Sequence, residues 1–576
     1  MAGSGPTAEK VQDVPTPTRA PNTRVVIALV PEGTSVRELA RVPGVSPGLL
    51  SAGLGSVPAE QTYLDISQGN RVFDSLYDAK LPRDVDGGIC GPAYSRAVVE
   101  RAESAPADIV PGLLAATLRA TGKRCEVRDL TLAQLEKLVG GLRGNDLVVA
   151  IERAPPEKNR QLAVGVAGRG FDGDLTSDST RTDGYVLATD IAPTILERLG
   201  VPVPSAMSGQ AIRAEGSVDV EAIDSLGGRM GVISERRGPA IGVSLAVWLL
   251  LLGLALFARG RVARVAVRVV GLSVIYLPLV LLLGPALEPS QGVEQALVML
   301  GAPLLAGLTL AALRGYRAIA VASGAVVLAY AIDVVSGSPF TSLSLLGPNP
   351  GLGVRFYGIG NELEALLGVL VVAGTGAGLA GFGPRFSPRR CAVAFLAIGL
   401  FFALVFAAGR FGADVGAAIV LPVGAAVAAA AIAARSRRTA LLVVAAPLVV
   451  LALIALADLL TGANAHLTRS VLDAGGLSDL ADVAQRRLQL SAHSFTRPVV
   501  LAFLPVIAAL AVFAVARRDR FGALLENFPA MHAGLLGALA ATVIGTLAND
   551  SGALLLEIGS AYLLVFVSFA WSERTR

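Results

Sequence analysis

Histidine and cysteine are nearly missing from this 576-residue chain, with three of each, and where they sit excludes more than how few they are. His466, His493 and His532 all lie late in the sequence, and no histidine precedes residue 239. Ser-His-Asp chemistry is thereby excluded from the first 238 residues. Charge is scarce too, at 16% Asp, Glu, Lys and Arg against the roughly 25% of ordinary soluble domains. That shortage rules out a purely soluble enzyme and a disordered chain, and three cysteines rule out a disulfide scaffold. No Cys/His metal cluster, phosphate-binding glycine loop, dinucleotide fingerprint or nucleic-acid module is present.

What is abundant is apolar: 53% of residues are hydrophobic and the mean hydropathy is +0.62. The distribution is uneven. Before residue 239 there are 26 basic and 30 acidic residues, a soluble balance; after it there are 23 and 15, thinly spread through hydrophobic sequence. The basic excess of the second part needs no nucleic acid. Apolar runs of about 18–22 residues, long enough to cross a roughly 30 Å hydrocarbon layer, recur there. Eleven are read, near 240–258, 269–287, 293–313, 318–335, 362–381, 391–409, 414–434, 439–460, 498–516, 527–548 and 552–571. Any one could be a buried core helix. Eleven in series, with so few charges, read as a membrane domain over 239–576.

Arginine clusters give this domain a direction, because cytoplasmic loops are enriched in Lys and Arg. They fall at Arg259/Arg261/Arg264/Arg268, Arg314/Arg317, Arg385/Arg389/Arg390, Arg435/Arg437/Arg438, Arg517/Arg518/Arg520 and Arg574/Arg576, after every odd-numbered span. The expected protein is therefore a multi-pass plasma-membrane protein with a cytoplasmic C-terminus and residues 1–238 outside. Export of such a domain calls for a leader. Residues 1–23, Pro/Thr/Ala/Gly-rich and read as disordered, contain no apolar stretch, and 24–30 is too short for one, so a leader upstream of residue 1 is expected.

Within the first part, the β-branched runs at 24–30, Asp146–Glu152 and Gln161–Ala167 read as buried strands. Ile109–Thr121 and Leu132–Leu142 read as helices. Alternating strand and helix signals predict an α/β sheet covered on both faces. The segment 189–209, TDIAPTILERLGVPVPSAMSG, reads as a helix with Asp190 near its start, Leu196 and Leu199 inward, and Gly200 as its stop. This segment resembles the T-D-[IL]-x-P-T-[IL]-L-x-x-L-G-[IV]-x-x-P…G stretch of the alkaline phosphatase superfamily. Two further features are similar: Glu32-Gly33 stands where the superfamily has a metal-binding Asp-Gly, and Ser56-Val57-Pro58 resembles its nucleophile turn. The resemblance covers about 24–214, followed by a linker at 215–238, and implies an alkaline-phosphatase-like α/β fold with Ser56 as the candidate catalytic residue.

The metal-dependent members of that superfamily hold two divalent ions with Asp and His ligands, and here the imidazoles are missing. The corresponding stretch, GVAGRGFDGDLTSDSTRTDG, offers Asp172, Asp174, Asp178 and Asp183 only. No zinc is expected. A carboxylate-only Mg²⁺ or Ca²⁺ site drawn from Glu32, Asp65 and Asp172 is the alternative, beside a domain that kept the fold and lost hydrolysis. Cys90 and Cys125 pair if the domain meets an oxidising compartment; two free buried thiols are equally compatible with the sequence.

Polar residues concentrate on the expected outer side of the membrane domain, where ionisable groups are expensive and tend to face a bundle interior. Asp333, Arg355, Tyr357, Asn361, Glu362, Glu364, Arg410, Asp414, Asp458, Asn549, Asp550 and Glu557 all fall there. The loop LGPNPGLGVRFYGIGNELEA, broken by Pro348, Pro350 and glycines, leads into Glu362 in the first turn of a span, a position that suits a carboxylate. Arg355, Tyr357, Asn361, Glu362, Arg410, Asp414, Asn549 and Asp550 are the candidate substrate-binding residues. Arg355, Asn361, Glu362, Asp414 and Asp550 are expected to meet in one outward-opening cavity. Segment 461–497 suggests an amphipathic helix lying on the bilayer or packed against the outer domain. The reading is a cell-envelope protein that binds and processes or moves a lipid-linked or anionic substrate at the outer leaflet. Its partners would be membrane lipids or a lipid-linked envelope precursor, with no nucleic acid. A metal-dependent phospho- or phosphoalcohol-transferase and a transporter or flippase are the rivals.

Overall fold

A computed structural model describes residues 23–573 except 83–87, 92–93, 157, 259, 384–385 and 497; within 434–490 it describes only 445, 448–450, 452–453 and 488–489. The chain divides into two compact units, Met1–Ile223 and Asp224–Arg576.

The first unit is α/β. Its strands are β1 (Val25–Val30), β2 (Val45–Ser51), β3 (Glu126–Asp129), β4 (Leu147–Glu152), β5 (Gln161–Gly168), β6 (Asp174–Thr176), β7 (Tyr185–Leu187) and β8 (Arg213–Glu215). Six of them form a sheet in the order β3-β1-β4-β5-β2-β7, and β6 pairs with β8. Strand β5 is antiparallel to both neighbours, β4 and β2, while β1 is parallel to β3 and β4. Side chains alternate in a strand, and here both faces are buried. Ile27, Val149 and Val164 face helices α2 (Ala59–Gln68), α4 (Leu113–Ala120) and α6 (Ile191–Arg198). Val26, Val148 and Ala163 face α1 (Val36–Ala40) and α5 (Leu132–Val139). The one other helix, α3 (Arg96–Glu103), completes the described set.

The three strands and two helices expected from sequence are present. Segment 189–209 also folds as read: Leu196 and Leu199 are buried and Gly200 adopts φ +66° after α6. Cys90 and Cys125 form a disulfide.

The second unit is helical: α7 (Val220–Ala258, its first residues in the first unit), α8 (Gly260–Leu287), α9 (Gln291–Ala296), α10 (Ala302–Ala312), α11 (Tyr316–Val335), α12 (Asn361–Phe382), α13 (Pro388–Ala407), α14 (Ala417–Ile432), α15 (Pro498–Ala516), α16 (Arg518–Leu525), α17 (Pro529–Ala548) and α18 (Gly552–Glu573). Among the described residues, eight helical stretches are long and apolar enough to cross a membrane, and the shorter apolar helices Ala417–Ile432 and Phe503–Ala516 accompany them. Most of the expected span at 439–460 and most of segment 461–497 lie outside the described residues.

One reading is refined. The stretch 215–238, expected as a linker, holds the boundary between the two units and is helical from Val220 onward, as the first half of α7. The charges that make this stretch look like solvated linker are partnered. Arg229 and Arg236 both pair with the buried Glu294, at 2.8 and 3.1 Å, and Arg237 pairs with Glu362 at 3.7 Å.

Contacts define the two ends of the bundle. At one, Arg317 Nε donates to Gly381 O at 2.9 Å, Tyr316 meets Phe528 edge-on, and Arg268 pairs with Glu573 at 2.8 Å. At the other, Ile359 N donates to Gly412 O at 2.9 Å and Ala553 N to Ser494 Oγ at 3.0 Å. Between the ends, α12, α14 and α17 approach backbone to backbone. A methyl on Gly534 would lie 2.9 Å from Gly376 Cα, and one on Gly537 2.3 Å from Gly424 O. Such small-residue contacts hold helices together in lipid, where apolar surface alone gives no preference for a neighbouring helix.

Candidate functional site

Three turns build the polar end of the bundle. The loop before α12 is fixed by its own kinks: Asn349 at φ +53° accepts from Gly351 N, and Asn349 Nδ2 donates to Ser234 Oγ at 2.8 Å. Further on, the loop crosses the turn after α13. Gly358, at φ +76°, lies so close that a Cβ would sit 2.0 Å from Gly412 O. The glycines that forbid a helix here are therefore the ones that let two loops cross in contact.

That crossing delivers the polar side chains. Arg355 donates to Ile359 O and lies 3.8 Å from Asp414. Asp414, 3% exposed, accepts from Ala417 N at 3.1 Å and so caps the first turn of α14. In the turn between α17 and α18, Asn549 Nδ2 donates to Glu364 Oε2 at 2.7 Å and to Asn361 Oδ1 at 3.2 Å. Asn361 Nδ2 donates in turn to Asp550 Oδ1 at 3.2 Å. Arg355, Asn361, Asp414, Asn549 and Asp550 thus form one network drawn from three separate turns. Glu362 stands at its edge and turns to Arg237. Tyr357 is half-buried in the same loop, and Arg410 is exposed at the turn after α13.

The centre of this network is Glu364, which the sequence reading placed among the outer polar residues but not among the binding candidates. Only 2% exposed, it packs against Gly416, where a Cβ would lie 2.3 Å from Oε1. Its carboxyl faces that of Asp414. The signal was its spacing: Asn361 and Glu364 are three apart and share a helix face. Glu294, also missed, is buried against two arginines and reads as a structural ion pair. Asp333 has a similar role, accepting from Phe340 N at 3.1 Å and Thr341 N at 2.7 Å.

In the first unit the candidates do not gather. Glu32 follows β1 and Ser56 follows β2, at the same sheet edge but separated by two strands, about 14 Å at the usual spacing. Both are exposed. Asp172 follows the antiparallel β5 and emerges at the opposite edge. Asp65 is buried in α2, where one of its oxygens accepts from Gln61 Nε2 at 2.7 Å and Gln68 Nε2 at 3.0 Å. Burial pushes its carboxyl up to about 7, opposed by those amides and by the charges of Arg71 and Arg101. Among the described residues, no three His, Cys, Asp or Glu side chains are grouped as a metal-ion site would need.

The motif residue Asp190 is a fastening point. Fully buried, it accepts from Ser177 Oγ at 2.7 Å, Ser179 Oγ at 2.6 Å, Leu187 N at 3.0 Å and Gln210 N at 2.9 Å. With its oxygens so engaged it joins the β6–β7 connection, α6 and the strand that leaves the motif.

Comparison of the chain with protein-family models, characterised proteins and solved structures finds no match to any of them.

Proposed function

We propose that this is a multi-pass plasma-membrane protein of the cell envelope that binds a lipid-linked substrate at the outer leaflet and processes or moves it. The polar network around Glu364 is its site. The observation that carries this reading is the convergence of three separate turns on one buried cluster at a helix-bundle end. Buried polar groups at membrane depth are costly and are kept where they act on something. The network holds one guanidinium, on Arg355, against the carboxylates of Glu364, Asp414 and Asp550. That balance favours a headgroup that presents hydrogen-bond donors, such as sugar hydroxyls or an amine, beside any phosphate gripped by Arg355.

The first unit, in this reading, is an extracytoplasmic, alkaline-phosphatase-like domain serving recognition or regulation. Its disulfide suits an oxidising compartment, and the scatter of Glu32, Ser56 and Asp172 over two sheet edges favours a non-hydrolytic role over phosphotransfer. The test is complementation of a deletion strain, with lipid analysis of the membrane fraction. Arg355→Ala and Asn361→Ala should fail to restore the wild-type lipid profile while being expressed and folded. Restoration by both would remove the network from the function.

A further inference from the structure

Two buried carboxyls in contact pose a question of charge. Glu364 and Asp414 come from different elements, α12 and the turn before α14, and are 2% and 3% exposed. Each has part of its hydrogen-bonding capacity satisfied: Glu364 Oε2 by Asn549 Nδ2, and Asp414 Oδ2 by Ala417 N. Glu364 Oε1 is different. It is buried and has no hydrogen-bond donor among the described residues, in a carboxyl that lies against Gly416 and faces Asp414. Among the described residues the one cation nearby is Arg355, 3.8 Å from Asp414. One guanidinium offsets one carboxylate. The second negative charge has no counterpart among the described residues, and an unpaired charge in a water-poor interior is strongly disfavoured.

A bound cation would answer the need, but a metal ion needs several oxygen ligands around it, and among the described residues no third His, Cys, Asp or Glu joins the pair. A proton needs no such ligands. We propose that Glu364 and Asp414 share one proton, making the pair a proton-binding site at the outer end of the bundle.

The surrounding elements bear this out. From α12 itself, Glu362 is turned to Arg237. From α11, Asp333 is held by the Phe340 and Thr341 amides. The turn after α13 adds the exposed Arg410, and the turn before α18 adds the exposed Asp550, one hydrogen bond beyond Asn361. Glu557 on α18 is half-buried, and His493 is exposed in the segment that packs on the same turn. None of these places a second positive charge on the pair. Through Asn549 and Asn361 the pair is linked by hydrogen bonds to the exposed Asp550, which places it close to water at the outer end. The inference rests on the reading of this network as the working site and adds to it: substrate binding or movement would be coupled to uptake and release of a proton.

Infrared difference spectroscopy of the full-length protein in lipid nanodiscs, titrated through neutral pH, tests it. Buried acids of the first unit such as Asp65 contribute equally to every sample and cancel between variants. Relative to Glu364→Gln, the wild type should show one additional carboxylic-acid carbonyl band per chain. In Asp414→Asn the band should remain but titrate at least about one pH unit lower, the loss of a neighbouring like charge. The proposal is overturned if Glu364→Gln removes no acid band, if Asp414→Asn leaves its midpoint unchanged, or if Na⁺, Mg²⁺ or Ca²⁺ at millimolar concentration displaces the band. Should Glu364→Gln not fold, the Asp414→Asn comparison decides alone. Failure of the functional reading is seen separately: a normal proton band with full complementation by Glu364→Gln upholds the proton site and removes the network's role in function.

Discussion

Asp190 shows how much can hang on one buried side chain. It accepts two hydroxyl and two amide hydrogen bonds at a fully buried junction. Asp190→Asn keeps the shape but turns an NH₂ toward donors, so it should cost about 3 kcal/mol or more. Hydrogen exchange of the 177–190 and 206–212 peptides in the full-length protein should rise together; unchanged protection would refute the fastening role. Asp65 makes an opposite case, since its carboxyl is pushed up to about 7 by burial from the ~3.9 of an unfolded chain. The folded form then holds a proton that the unfolded chain releases, so stability falls as pH rises from about 4 to about 7. Asp65→Asn retains an acceptor for Gln61 and Gln68 and removes the titration. Its α2 peptide should therefore lose no extra protection between pH 5 and pH 8, whereas the wild type should; equal slopes would refute this.

At the level of elements, the close approach of α12 to the start of α14 is the contact most open to test. Gly416 has an ordinary helical backbone at φ −60°, so alanine there is resisted first by the Glu364 carboxyl. Gly416→Ala should destabilise the full chain by about 1–3 kcal/mol, the usual cost of overpacking. Much of that should disappear when Glu364→Ala is already present, and purely additive melting shifts would show that the two do not touch. The elements themselves were legible in the sequence to different degrees. Strand β1, β4 and β5 announce themselves as β-branched runs. Strand β2 does not, because Pro47 and Gly48 interrupt it. It tolerates them because only Leu49–Ser51 pair with β7, leaving the β7 side of Pro47 without a partner strand to require its missing N–H. The first half of α7 was hidden for another reason: Arg229, Arg236 and Arg237 look solvated until Glu294 and Glu362, some 60 to 125 residues away in sequence, are seen to pair with them. Likewise the convergence of Arg355, Asn361, Asp414 and Asp550 could be anticipated from span order, while the central place of Glu364 depends on a packing contact with Gly416 that no local pattern encodes.

For the whole molecule, the proposed orientation is open to test. Arg317 and Glu573 lie at one end of the bundle, and the polar turns meet at the other. On the proposed orientation, with the first end cytoplasmic, a cysteine introduced at Asp178 should react with an impermeant thiol reagent in intact cells, and one at Arg437 should react only after lysis. Labelling of position 437 in intact cells would invert the orientation. The contacts among α12, α14 and α17 carry a further implication for movement. Where backbones touch through Gly376, Gly534, Gly424 and Gly537, no Cβ stands between the helices, and we predict that the three move as one body. In the proposed function they would be the fixed post against which other helices turn, so that spin labels placed on α12 and α17 should keep a constant separation through a working cycle.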